Sequence, residues 1–147
     1  MTAGGSADPY GTLVPDGQYR VGYVTWEEGN AYGRSLWFGH FKITEPGEYN
    51  GLPILRVWNK PKRPYLPRSH NLALDYMALT GCYPRSAVTP DELAKGCELL
   101  AETATVKHEI RGKRRIERPE GCWYSKIDRL IRITAGSPPC MRSRGKR

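Results

Sequence analysis

The clearest alternation of apolar and polar positions is in "QYRVGYVTW" (18–26), where Tyr19, Val21 and Tyr23 share one side of a period-two pattern. That is the mark of a half-buried strand, and Gly22 inside it predicts a bulge or sharp bend. After the loop "EEGNAYG", a second run over about 34–44, "RSLWFGHFKIT", predicts a second strand. The turn "EPGEYNG" then leads to a third, "LPILRVWN" (52–59), and the three make an antiparallel meander.

A basic, proline-rich connection, "KPKRPYLPR", follows. In "SHNLALDYMALTG" Ser69 is a candidate cap for a helix over about 70–79, and Gly81 a candidate stop. "TPDELAKG" carries a compact capping signal for one or two further turns: Thr89 as cap, Pro90 at the first helical position, and Glu92 three residues after the cap. "CELLAETATVKHEI" (97–110) reads as a fourth strand, although its Glu and Ala leave some helical ambiguity. "RGKRRIERPEG" reads as a loop or protruding hairpin, and "CWYSKIDRLIRIT" (122–134) as a fifth strand. Residues 1–16 read as a flexible leader and 135–147 as a basic disordered tail, leaving one domain at 17–134.

A mainly β chain with three strands, a helix and two more strands has the order of the OB-fold, a five-stranded partly open barrel with one helix between strands 3 and 4. That fold binds oligonucleotides across strands 2 and 3, flanked by the loops joining strands 1 to 2 and 4 to 5. Period two places Trp37, Phe41 and Ile43 inward and Phe38, His40 and Lys42 outward; in the third strand it is expected to place Leu55 and Val57 inward and Arg56 and Trp58 outward. A bulge at Gly39 would exchange Trp37 for Phe38, so which of the two faces a ligand stays open. The outward set joins ring faces for stacking with cations for phosphates, as a single-stranded nucleic-acid platform requires.

The flanking segments extend that set. Trp26, Tyr32 and Arg34 lie at or near the first connection, Lys60, Lys62 and Arg63, with Tyr65 interleaved, after the third strand, and Arg111, Lys113, Arg114 and Arg115 between the fourth and fifth. The bland alternative is that the aromatics serve the core and the bases solvate the rim; a basic hairpin beside an aromatic strand face weighs against it.

Charge agrees. The formal net charge is +8, and it is uneven: residues 1–58 hold four Lys/Arg against six Asp/Glu (net −2), and residues 59–147 hold 19 against nine (net +10). A basic surface of this kind attracts polyanions. Cys82, Cys97, Cys122 and Cys140 include no Cys-x-x-Cys pair and read as reduced thiols, so no metal and no cofactor is expected. No apolar run approaches the roughly 18 residues of a membrane span, and the first residues lack the features of a secretory signal, so a cytoplasmic protein is expected.

His40, His70 and His108 form no His-x-x-x-His pair, and there is no paired-carboxylate motif or glycine-rich phosphate loop, so no enzyme is expected. The alternatives are an RNA-binding OB-fold, a nuclease with a site assembled from remote residues, and a protein-interaction module with an acidic partner. Assembly into a homo-oligomer is compatible with all of these.

"DGQYRVGYVTWE" followed by "WFGHFKITEPGEYNGLPILRVWN" resembles the N-terminal half of small OB-fold single-stranded-DNA-binding proteins of phages and mobile elements. The likeness spans about residues 16–80 and continues faintly through "YSKIDRLI". It implies non-catalytic binding of single-stranded DNA in support of DNA replication or recombination. Many bacterial members end in an acidic, hydrophobic tip that recruits partners, whereas this chain ends "MRSRGKR".

Overall fold

A computed structural model describes residues 11–31, 33–62, 64–111 and 113–144. The first predicted strand is longer than its alternation: β1 runs Gly17–Ala31 and β2 Arg34–Ile43, so the expected seven-residue loop is mostly strand and only two residues separate the two. Residues 17–22 of β1 pair with the fourth strand of the chain, and residues 21–31 pair with β2. The register shifts between Tyr23 and Thr25, a bulge two residues after Gly22 that lets one long strand serve both neighbours.

With β3 (Pro53–Asn59), β4 (Glu98–Val106) and β7 (Tyr124–Ala135), these strands form a mixed sheet that closes into a ring in the order β1-β2-β3-β7-β4. Every neighbouring pair is antiparallel except β3 and β7, whose parallel register covers only Leu55↔Lys126 and Arg56↔Ile127. Helices α1 (Asn71–Thr80) and α2 (Pro90–Ala94) lie between β3 and β4 in the chain. The predicted fourth strand stops at Val106. From there β5 (His108–Arg111) and β6 (Arg114–Glu117) form a separate hairpin, and α3 (Pro139–Arg144) ends the described chain. No helix among the described residues is long and apolar enough to cross a membrane.

Local signals explain the helices. The N-cap of α1 is His70 rather than Ser69: its Nδ1 accepts from the Leu72 N–H at 3.1 Å. Gly81 closes the helix in the left-handed conformation (φ 85°) and donates to the Met77 carbonyl at 2.9 Å. The Thr89/Glu92 capping box and Pro90 of α2 are as the sequence indicates. Helix α1 lays Leu72, Ala73 and Tyr76 against a core that Val21, Phe41, Ile43, Leu99 and Ile127 supply from the ring.

The register of β3 is the reverse of the expected one. Ile54, Arg56 and Trp58 point into the ring, and Leu55, although buried, lies outside that core cluster. Trp58 is 0% exposed and Arg56 7%. The reason sits on α1: the Asp75 carboxylate accepts from Arg56 Nε (2.8 Å), from Trp58 Nε1 (2.7 Å) and from the Leu130 backbone N–H (3.2 Å). A buried guanidinium is tolerable when paired and hydrogen-bonded in this way. Gly39 makes no bulge. It makes room, because a Cβ there would lie 2.7 Å from Trp58 Cζ3.

Residues 11–16 of the expected leader and 139–144 of the expected tail have defined places in the fold. Thr12 and Val14 are buried, and residues 11–16 bridge β3 and β7: Thr12 Oγ1 donates to the Pro53 carbonyl (2.6 Å), the Ser125 N–H to the Thr12 carbonyl (2.7 Å), and the Val14 N–H to Ser125 Oγ (2.9 Å). At the other end Pro138 is buried and Cys140 packs against the core, so the tail expected to be disordered is helical over 139–144. Residues 1–10 and 145–147 lie outside the described residues.

Removing the Asp75 carboxylate strands a buried guanidinium, an indole N–H and a backbone N–H at once. Asp75→Ala should lower the unfolding free energy by about 3–5 kcal/mol. Asp75→Asn, which keeps an acceptor but not the charge, should fall between. Urea denaturation followed by tryptophan fluorescence measures both, and a loss below about 1 kcal/mol for Asp75→Ala would show that the network does not hold β3 in this register.

Candidate functional site

Pairing of Leu36 with Asn59, and a hydrogen bond from the Lys60 N–H to the Ser35 carbonyl (3.2 Å), set the end of β3 beside the start of β2. Asn71, the first residue of α1, ties down the same end: its Oδ1 accepts from the Asn59 N–H (3.3 Å) and its Nδ2 donates to the Val57 carbonyl (3.1 Å). The connection that follows cannot continue the ladder, because Pro61, Pro64 and Pro67 interrupt it. Leu66 anchors it in the core, and the neighbouring Tyr65 is left 53% exposed.

These elements enclose a cleft of about 840 Å³. Gly33, Arg34 and Ser35 line it from β2 and the turn before it, Asn59 to Lys62 from the end of β3, and Tyr65, Leu66, Pro67 and His70 from the connection and the α1 cap. Among the described residues no carboxylate lines it. Lys60 Nζ is paired at 2.9 Å with Glu28 Oε2, and this bond holds the Glu28 carboxyl below its usual range. Arg34 and Lys62 have no acidic partner among the described residues. Three separate predictions of the sequence, Arg34, Lys60 and Lys62, are thereby brought to one place; Ser35, Asn59 and His70 were missed. Polar residues flanking strand ends carry no periodic signal that would have singled them out.

The outer face of β1 to β3 is poorer in rings than expected. Trp58 and Arg56 are inside, as is Trp37, which is 9% exposed and meets Trp26 edge-on at 4.9 Å between ring centroids. Trp26 itself lies on β1, packed against the core. Phe38 remains outside but half-buried, and it crosses β1 so closely that a Cβ on Gly29 would lie 2.8 Å from its ring. His40 Nε2 lies 3.3 Å from Glu27 Oε1, and Lys42 is exposed. Tyr32 and Arg63 lie outside the described residues.

The β5–β6 hairpin carries the other basic group. Lys113, Arg114 and Arg115 are exposed, Arg111 is the register partner of Arg114, and Arg115 Nη2 lies 3.4 Å from His108 Nδ1. Its base is firmly tied. The Arg118 N–H donates to the Lys107 carbonyl (2.7 Å), Trp123 Nε1 donates to the Arg118 carbonyl (3.0 Å), and Lys107 and Arg118 lie over the Trp123 and Tyr124 rings at 4.8 and 5.2 Å. Along the ladder the hairpin follows the end of β4 that runs past Gly17, whereas the β1–β2 turn and the cleft lie at the other end of β1.

None of the four cysteines is in a disulfide, and among the described residues no group of three or more His, Cys, Asp or Glu is placed to hold a metal ion. Burial pushes the Cys140 thiol up, toward the protonated form, which is the less nucleophilic one. Comparison with protein-family models, curated proteins and solved structures found no match for this chain.

His70 stands where cleft and core meet. Its Nε2 is buried without a hydrogen-bond partner among the described residues, and desolvation lowers its pKa from the ordinary 6.5, a shift that the nearby Asn59 backbone opposes only in part. The folded state thus prefers a neutral ring while the unfolded chain takes up a proton near pH 6.5. Its contribution to stability should be complete above that pH and be lost as pH falls through the lower folded-state value. His70→Asn, which preserves an N-cap, should flatten this part of the acid limb in thermal melts between about pH 7.5 and 5; parallel curves for the two proteins would refute the assignment.

Proposed function

We propose that this protein is a non-catalytic single-stranded nucleic-acid binder, DNA being the favoured ligand, built on an OB-fold. The fold reading is supported by the strand order of the ring, by its one parallel seam between the third and the last strand, and by the helix that precedes the fourth. Its binding reading is carried by one observation: a cleft lined by Arg34, Lys60 and Lys62 with an exposed Tyr65 and, among the described residues, no carboxylate. Basic walls with an aromatic interleaved suit a strand whose phosphates and bases alternate.

The mechanism differs from a stacking platform on strands 2 and 3. With Trp37 and Trp58 in the core, Phe38 is the tryptophan-free face's main ring, and most of the affinity falls to phosphate contacts in the cleft and on the hairpin. Such contacts release counterions, so affinity falls with salt. Support of replication or recombination is the role this reading implies.

Titration with single-stranded DNA, duplex DNA and RNA tests it. Single-stranded DNA should bind most tightly, with a slope of log affinity against log salt of about −3 to −4 for roughly four to six phosphate contacts. Replacing Lys113, Arg114 and Arg115 together by Gln should make that slope shallower by about 2. A flat salt response would defeat the proposal, tighter RNA binding would move it to an RNA-binding protein, and strand cleavage on adding a divalent metal would replace it with a nuclease.

A further inference from the structure

We infer that the cleft beside Arg34 and Lys62 is a pocket for a single nucleotide unit, holding its phosphate between these two cations and its base against Tyr65. This deepens the nucleic-acid reading and rests on it. Size comes first. A volume of about 840 Å³ falls within the roughly 300–1,000 Å³ of small-molecule sites, enough to take a nucleotide.

Charge comes second. Of the three cations on the wall, Lys60 is committed to Glu28, while Arg34 and Lys62 have no acid to neutralise them among the described residues. Two such cations match the charge of a phosphate monoester, and the planar fork of an arginine suits its oxygens. Polarity comes third. The Asn59 side-chain amide offers a donor and an acceptor, and it makes no hydrogen bond among the described residues because its backbone N–H alone is engaged by Asn71. A bare inorganic anion would use the cations and make no use of the ring or of the Asn59 amide.

The connection is held for such a ligand. Leu66 is buried and Tyr65 beside it is half-exposed, so the tyrosine is presented from an anchored backbone rather than from a loose loop. The cleft also lies at the opposite end of β1 from the β5–β6 hairpin, so the two basic groups are separable by substitution.

The test uses the full chain and three probes: deoxyadenosine 5′-monophosphate, deoxyadenosine and inorganic phosphate, each titrated by calorimetry at low salt. The monophosphate should bind at least about tenfold more tightly than either of the others, since only it uses both the cations and the ring. Arg34→Gln with Lys62→Gln should weaken it by about tenfold or more. Tyr65→Ala should weaken the monophosphate and leave inorganic phosphate unchanged, while Arg132→Gln, at an exposed cation of β7 outside the cleft, should change neither. Equal affinity for monophosphate and inorganic phosphate, or insensitivity to the Arg34/Lys62 pair, overturns the pocket. A single-stranded oligonucleotide titrated alongside separates the two levels. If it binds and the monophosphate does not, the pocket falls and the nucleic-acid reading stands; if neither binds, both fall.

Discussion

One carboxylate decides how this ring is put together. Asp75 takes three hydrogen bonds from three directions, two from side chains on β3 and one from the backbone of β7. Those are the strands whose parallel pairing covers only two residue pairs, the shortest ladder in the ring. Backbone hydrogen bonds alone leave that seam thin. Asp75 spans it from the inside through α1, and residues 12–14 span it again through Pro53 and Ser125. A buried ion pair is not by itself a large source of stability, because desolvation cancels much of the Coulomb gain. What it does here is choose: with Asp75 in place, only the register that turns Arg56 and Trp58 inward leaves no buried charge unpaired.

That choice explains where the sequence was legible. In β1 and β2 the alternation is asymmetric enough to be read directly, with Val21, Trp37, Phe41 and Ile43 all on the buried side. In "PILRVWN" both alternating sets are largely apolar, Ile54 and Trp58 in one, Leu55 and Val57 in the other, so the pattern cannot choose between them. Treating Arg56 as a surface residue chose wrongly. The missing signal is an acid in "LALDYMAL", on the same helical side as Leu72 and Tyr76, because a carboxylate on an apolar helix face needs a buried donor. The partner lies 19 residues away, beyond the reach of any local period.

The site divides in the same manner. Its cations were visible as composition, since "KPKRP" and the bases of the hairpin stand out in any window. Their grouping was not. Arg34 reaches the cleft because β1 continues to Ala31 and turns within two residues, where a seven-residue loop was expected. Asn59 and His70 join it because Asn71 fastens the end of β3 to the start of α1. Each of these is a consequence of long-range pairing, and each involves residue types that are ordinary at strand ends and helix caps.

The inward turn of Trp58 has a consequence for recognition as well as for stability. An outward indole would have given the sheet face a broad, sequence-tolerant stacking surface; an inward one spends that ring on the core, where it fills the space that Gly39 leaves open. Among the described residues the exposed rings that remain are few, and of these Tyr65 is set in a concave, basic wall. In the proposed single-strand binder, selectivity over duplex would have to come from shape. A base placed against Tyr65 in the proposed pocket would have to be unpaired and turned out of a stack, whereas the phosphates of a duplex would meet Arg34 and Lys62 with no base to place against that ring. Under that proposal, cations that would attract any polyanion become discriminating through where β2, β3 and the proline-rich connection hold them.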